Sequence, residues 1–173
     1  MTTLRSRHFF ATVFAGLLLF AALGVHAEDD RGGFAKPGDV VGYWRMIPMS
    51  AELTAKNTEN PWPLPYQYFA IYKNGEMFAH MSTHATAHTP ESLDKLHEML
   101  PRTVHYAFNP DGFMVVTRDD QPDQTERWGV NLLAQDFTSG GTDFKARDLI
   151  MSLDDGHGNV VYRRLLRPIS PTE

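Results

Sequence analysis

From Val40 onward the chain alternates apolar and polar residues with the two-residue period of half-buried strands, interrupted at short intervals by turn formers. The alternation predicts eight strands, at Val40–Ile47, Tyr66–Lys73, Glu76–Ser82, Val104–Phe108, Phe113–Arg118, Thr125–Ala134, Asp148–Leu153 and Val160–Arg167. Asn74-Gly75 predicts a hairpin with a type I′ turn, because both residues tolerate positive φ. Asn109-Pro110-Asp111-Gly112, Ser139-Gly140-Gly141 and the Gly-rich run 154–159 mark further turns. One helix interrupts the series between the third and fourth strands. Thr89 caps it, Pro90 and Glu91 suit its first turn, Leu93, Leu96 and Leu100 form its apolar stripe, and Pro101 stops it.

Short local links between consecutive strands describe an up-and-down meander. Such a sheet leaves unpaired edges unless its ends meet, so the expected fold is all-β: an eight-stranded antiparallel barrel with one inserted helix. Closure requires the first strand to pair with the last.

Pro48 to Pro65 shows no β alternation, and prolines 61, 63 and 65 forbid regular pairing there. Its length suggests a lid or pocket mouth. On the hairpin that follows, Tyr66, Tyr68 and Tyr72 share one face and Phe69 and Ile71 the other. Met77, Ala79 and Met81 alternate with Phe78 and His80. Both faces are apolar, so alternation alone does not say which one points inward. The candidates for lining a ligand cavity are Trp62, Tyr66, Tyr68, Tyr72, Met77 and Met81. A barrel filled by its own side chains is the alternative.

Three further features resemble the lipocalins, within the calycins. Gly42-x-Trp44 on the first strand is similar to their first motif. Thr142-Asp143-Phe144 is similar to their Thr-Asp-Tyr motif, between the sixth and seventh strands. Arg163, Arg164 and Arg167 lie on the last strand, where the family keeps an Arg over the motif-one Trp. The resemblance covers residues 39–167 and implies a barrel that holds a small, mostly apolar molecule. The chain departs from the family in having no cysteine, no room for a helix after the last strand, and a helix at 90–100. Trp44 is large enough to plug one end of a barrel, its indole N–H satisfied by a carbonyl. A guanidinium stacked on it, taken as that of Arg164, would seal the plug, with Gly42 permitting close approach.

The residues ahead of the barrel read as an export signal. Arg5, Arg7 and His8 precede the uncharged, mostly apolar stretch Phe9–Val25, and Val25-His26-Ala27 offers a cleavage site. The organisation expected is a signal peptide at 1–27, a flexible, charged and Gly-rich lead-in at 28–38, the barrel at 39–167 and a tail at 168–173. Cleavage would leave no membrane span and place the protein in the periplasm or outside the cell; an uncleaved membrane anchor is the alternative, the apolar run of 17 residues being at the short limit for a span. The mature chain carries 14 basic and 21 acidic residues, a net charge of −7, which argues against nucleic acid as a partner.

Candidate chemistry is sparse. His80, His84, His88, His97 and His105 cluster in sequence with Met81 and Met99, and such ligands suit copper. Their spacing matches no known metal motif, with His80, His84 and His88 the best-placed candidates. No cofactor motif is present. The paired aspartates 119–120 and 154–155 sit in turns and lack the spacing of a calcium loop. An enzyme would need scattered groups such as His105, Glu126 and Asp148. The leading expectation is therefore an exported barrel binding a small apolar or amphipathic molecule. A His/Met metal-binding accessory protein and a barrel enzyme acting on an apolar substrate are the alternatives.

Overall fold

The computed structural model describes residues 31–55, 57, 62–100 and 104–170. The signal segment 1–27 lies outside them, as do Asn60 and Pro61 of the proline loop and residues 171–173. In chain order the elements are β1 (Gly32–Phe34), α1 (Pro37–Val40), β2 (Gly42–Ile47), α2 (Ala51–Thr54), β3 (Tyr66–Ile71), β4 (Met77–Ser82), α3 (Pro90–Met99), β5 (Val104–Phe108), β6 (Met114–Arg118), β7 (Thr125–Leu133), β8 (Phe137–Ser139), β9 (Thr142–Phe144), β10 (Leu149–Asp154) and β11 (Val160–Pro168). No described helix is long and apolar enough to cross a membrane.

All eight predicted strands are present, and they form one antiparallel wall in the order β4-β3-β2-β11-β10-β7-β6-β5. The first of them pairs with the last, from Leu165 opposite Ile47 to Pro168 opposite Trp44. The gap in this nearly closed barrel lies instead between β4 and β5. There the chain makes an isolated bridge, Glu76 with His105, and Tyr106 N–H donates to the Gly75 carbonyl at 2.7 Å. The connection across that gap is a helix rather than a tight turn, so nothing forces the two strands into full register.

The Asn74-Gly75 turn differs from the type I′ expectation. Tyr72 pairs with Glu76, Gly75 N–H donates back to the Tyr72 carbonyl at 3.2 Å, and Gly75 alone takes positive φ, at 88°. This is a three-residue loop with glycine in the left-handed position, and 109–113 repeats its hydrogen bonds.

The interior is one apolar cluster that includes Trp44, Phe69, Ile71, Met114, Trp128, Val130, Leu149, Met151, Tyr162 and Leu166. Two patches outside the wall are also covered. Helix α3 buries Leu93 and His97 against Ala70, Phe78, Tyr43 and Tyr72. Leu100, expected in its stripe, is half exposed because the helix has ended. On the other side α2 and the β8–β9 hairpin cover Ile47, Leu133, Ile150 and Leu165. These two coverings explain why the strands read as apolar on both faces.

Residues 31–38 of the segment expected to be a flexible lead-in are built into the fold, while 28–30 lie outside the described residues. β7 is longer than β6, which covers it only from Thr125 to Trp128. β1 pairs with the remainder, Gly32 opposite Leu133 through Phe34 opposite Asn131. α1 then crosses the end of the barrel and buries Val40, whose carbonyl accepts the Trp44 indole N–H at 2.8 Å. At the other terminus Ile169, placed in the tail, donates its N–H to Tyr43 and is buried.

Asp94 clamps α3 to the wall. The Tyr43 hydroxyl lies 2.8 and 2.9 Å from its two oxygens, and Tyr72 donates to it at 2.7 Å. Burial first, then the Asp94 carboxylate, pushes the Tyr43 phenol up to about 12. A raised phenol pKa means the fold favours the protonated form. That stability is complete below the ordinary pKa near 10 and is lost as pH climbs to about 12. Denaturant midpoints should therefore fall across that window, and Tyr43→Phe should fall less steeply than wild type. Equal slopes would deny the clamp.

Candidate functional site

From the level of Trp44 and Phe69 toward the other end of the barrel the inward positions change character. β3 contributes Gln67 and Phe69, β7 contributes Glu126 and Trp128, and β11 contributes Tyr162 and Arg164. Strand register puts them on one face: Trp44 opposes Phe69, Met151 opposes both Val130 and Arg164, and Leu153 opposes both Trp128 and Tyr162. Gln67, Phe69, Trp128, Tyr162 and Arg164 are all buried.

Trp62 folds over this group from the proline loop. Its ring stacks on Trp128 at 5.6 Å and lies 6.0 Å from Tyr162. The loop is held by a side chain rather than by a ladder, because Pro63 and Pro65 offer no N–H. The residues before them, Trp62 and Leu64, present carbonyls that both accept from Gln67 Nε2 at 2.9 Å.

Arg164 lies within this aromatic set. Its guanidinium carbon is 4.6 Å from the ring centres of Trp62 and Phe69, 5.0 Å from Trp128 and 5.7 Å from Tyr162. Burial pushes its pKa down, while Tyr162 and Glu126 favour the charge. Arg164 Nε and Nη2 and Gln67 Oε1 are buried without a hydrogen-bond partner among the described residues. Glu126, half-buried, accepts the Trp128 indole N–H at 2.9 Å. Its own pKa is raised by burial, against the pull of that bond and of Arg164 and Arg118.

A cavity of about 410 Å³ adjoins Arg164, within the range typical of small-molecule pockets. β2 pairs with β11 only from Leu165 onward, so the wall parts beside Tyr162–Arg164. The cavity fills this parting and is lined by Met46, Pro48, Met49, Thr54, Tyr162 and Arg164, among others.

Of the residues expected to line a ligand cavity, Trp62 lies over the mouth, and Met77 and Met81 pack on the interior cluster. Tyr66, Tyr68 and Tyr72 do not line the interior. Gln67 and Phe69 take the inward positions, so the intervening tyrosines face outward. Tyr68 donates to the Thr86 carbonyl and Tyr72 to Asp94.

The plug also differs from expectation. Trp44 is opposed by Pro168, which places Arg164 four residues up the strand, ~13 Å at 3.3 Å per residue. Arg164 stacks on the mouth rings instead. An added Cβ on Gly42 would meet the Trp44 indole at an ordinary 3.8 Å, so its φ of 145°, not crowding, is what calls for glycine. Of the other last-strand arginines, Arg167 binds Asp148 and the Asp143 carbonyl, joining the Thr-Asp-Phe segment to β11.

The histidines and carboxylates are scattered. The rings of His80 and His88 lie 4.8 Å apart beside Tyr68, on the outer face, while His84 turns to Thr83. Among the described residues no three metal-ligating groups converge. His105 pairs with exposed Asp119, Glu126 faces the mouth and Asp148 is buried under Arg167, so these three do not meet.

Sequence reasoning overlooked Gln67, Phe69, Trp128 and Tyr162 as parts of the mouth. Gln67 was the available signal: a lone amide in an apolar strand directly after three prolines, whose neighbours' carbonyls need a donor. Comparison with protein-family models, with curated proteins and with solved structures finds no match to this chain.

Proposed function

We propose that this protein is an exported, lipocalin-like barrel that binds one small apolar or amphipathic molecule at the mouth, beneath Trp62. The observation that carries this reading is the Trp62 ring laid over Trp128, Tyr162 and Arg164, the last two of which line a 410 Å³ cavity. The barrel's deeper half is packed with its own side chains, so the binding volume is the parting between β2 and β11 rather than the barrel axis. Trp62 is held by one hydrogen bond from Gln67 to its carbonyl, with a second from the same side chain to Leu64, and by ring stacking, which suits a cover that moves to admit a molecule. The Gly42-x-Trp44, Thr142-Asp143-Phe144 and last-strand arginine pattern supports the lipocalin kinship, and the segment 1–27 supports export.

An uncharged fluorescent probe such as N-phenyl-1-naphthylamine should bind saturably to one site and quench tryptophan emission. Trp62→Ala should weaken that binding by about tenfold, the loss of one aromatic contact, with a smaller effect on the unfolding midpoint. Probe uptake that never saturates, or that is indifferent to Trp62, would contradict the reading.

A further inference from the structure

Resting on that binding role, we propose that the bound molecule carries a carboxylate, and that Arg164 receives it on its Nε–Nη2 edge. Four rings surround the Arg164 guanidinium, and its Nε and Nη2 find no hydrogen-bond acceptor among them. The hydrogens of Nε and Nη2 point in parallel from one edge, matched to the two oxygens of a carboxylate.

Two other arginines of this chain use that same edge for that same purpose. Arg167 donates from Nε and Nη2 to the two oxygens of Asp148 at 2.9 and 2.7 Å. Arg118 does so to Asp120 at 3.1 and 2.9 Å. In Arg164 this edge is buried and has no partner among the described residues, and the residue lines the 410 Å³ cavity. A buried guanidinium keeps its charge and is costly to leave without a hydrogen-bonding counterion. Glu126 does not fill this role: its hydrogen bond is to the Trp128 indole, and it acts on Arg164 only through its charge.

The head is a monoanion for an electrostatic reason. Arg164 is the cation that the four rings surround; Arg163 also lines the cavity, but as the next residue along β11 its side chain leaves from the opposite face of the wall. Arg118 is already bound to Asp120, and Glu126 adds negative charge beside the site. A phosphate dianion would be opposed there. The apolar remainder of the molecule fits against Met46, Pro48 and Met49 on the β2 side of the cavity.

The test displaces N-phenyl-1-naphthylamine from the mature protein with decanoate, decanol and decyl phosphate near neutral pH. Decanoate should compete about 100-fold better than decanol, the strength of a bidentate charge-assisted pair, and better than decyl phosphate. Arg164→Met should abolish the preference, so that decanoate competes no better than decanol in that variant, and Arg164→Lys should retain part of it. Should Arg164→Met not fold, the Arg164 Nε–H resonance of nitrogen-labelled wild type supplies the readout: it should shift with decanoate and not with decanol. Equal competition by acid and alcohol would overturn the carboxylate and leave the binding role standing. Preference for decyl phosphate would likewise overturn it, and failure of every compound, probe included, would overturn both.

Discussion

Replacing Trp44 with alanine should lower the unfolding free energy by about 3–5 kcal/mol, as expected for truncating a fully packed aromatic. The ring is 4 % exposed and sits where α1 crosses the barrel end, packed with Val40, Ile71 and Leu166 in the interior cluster. Its indole N–H is the tie to the Val40 carbonyl. The substitution therefore opens a cavity and also leaves that carbonyl without its partner. A second consequence follows from register. Arg164 lies two inward positions away from Trp44 along β11, but Phe69, which faces Trp44 across the β2–β3 ladder, also carries the Arg164 guanidinium, so the pair couples only through that ring. The double variant with Arg164→Met should therefore depart from additivity by about 0.5–1 kcal/mol in urea denaturation. A large coupling energy would mean that the two side chains meet, against the pairing of Trp44 with Pro168.

Arg167→Ala should cost a similar amount, about 3–5 kcal/mol, because it strands a buried carboxylate. Asp148 has no exposed surface and receives two hydrogen bonds from Arg167 and a third from Lys145 N–H, at 2.9 Å. Arg167 also donates to the Asp143 carbonyl, so the same side chain ties together β9, the start of β10 and the end of β11. Removing both charges, as Asp148→Asn with Arg167→Met, should lose less than Arg167→Ala alone, since no unpaired ion remains in the interior. The four variants of that cycle, compared by chemical denaturation, check this. Added salt should change the single-variant loss little, because the pair is shielded from solvent. A loss below about 1 kcal/mol for Arg167→Ala would reduce the pair to an ordinary surface bridge.

Strand alternation made the eight-strand wall legible, and the cost of open edges made the pairing of β2 with β11 legible too. Three things were not. The face of the β3–β4 hairpin was ambiguous because Tyr68, Ala70 and Phe78 are as buried or as apolar as the inward set, their cover being a helix that follows later in the chain. β1 was hidden because Gly-Gly-Phe has no alternation of its own. It becomes a strand only because β7 extends beyond the reach of β6, a fact set by two strand lengths and one register. The partner of Arg164 was misassigned because the family pattern places an Arg on the last strand without fixing the offset to Trp44. That offset depends on where β11 begins pairing with β2, and Pro168 opposite Trp44 settles it. The candidate site needed all of these at once, so only Trp62, Glu126 and Arg164 of its members stood out beforehand, the last two in different roles.

The central claim, that the mouth beneath Trp62 holds one small molecule, is tested most directly by native mass spectrometry of the protein purified from cells that express the full chain. The account predicts a second species heavier by one small organic molecule, depleted in Trp62→Ala and released on denaturation. A single bare mass in both proteins, together with no added species after incubation with decanoate and with N-phenyl-1-naphthylamine, would contradict it.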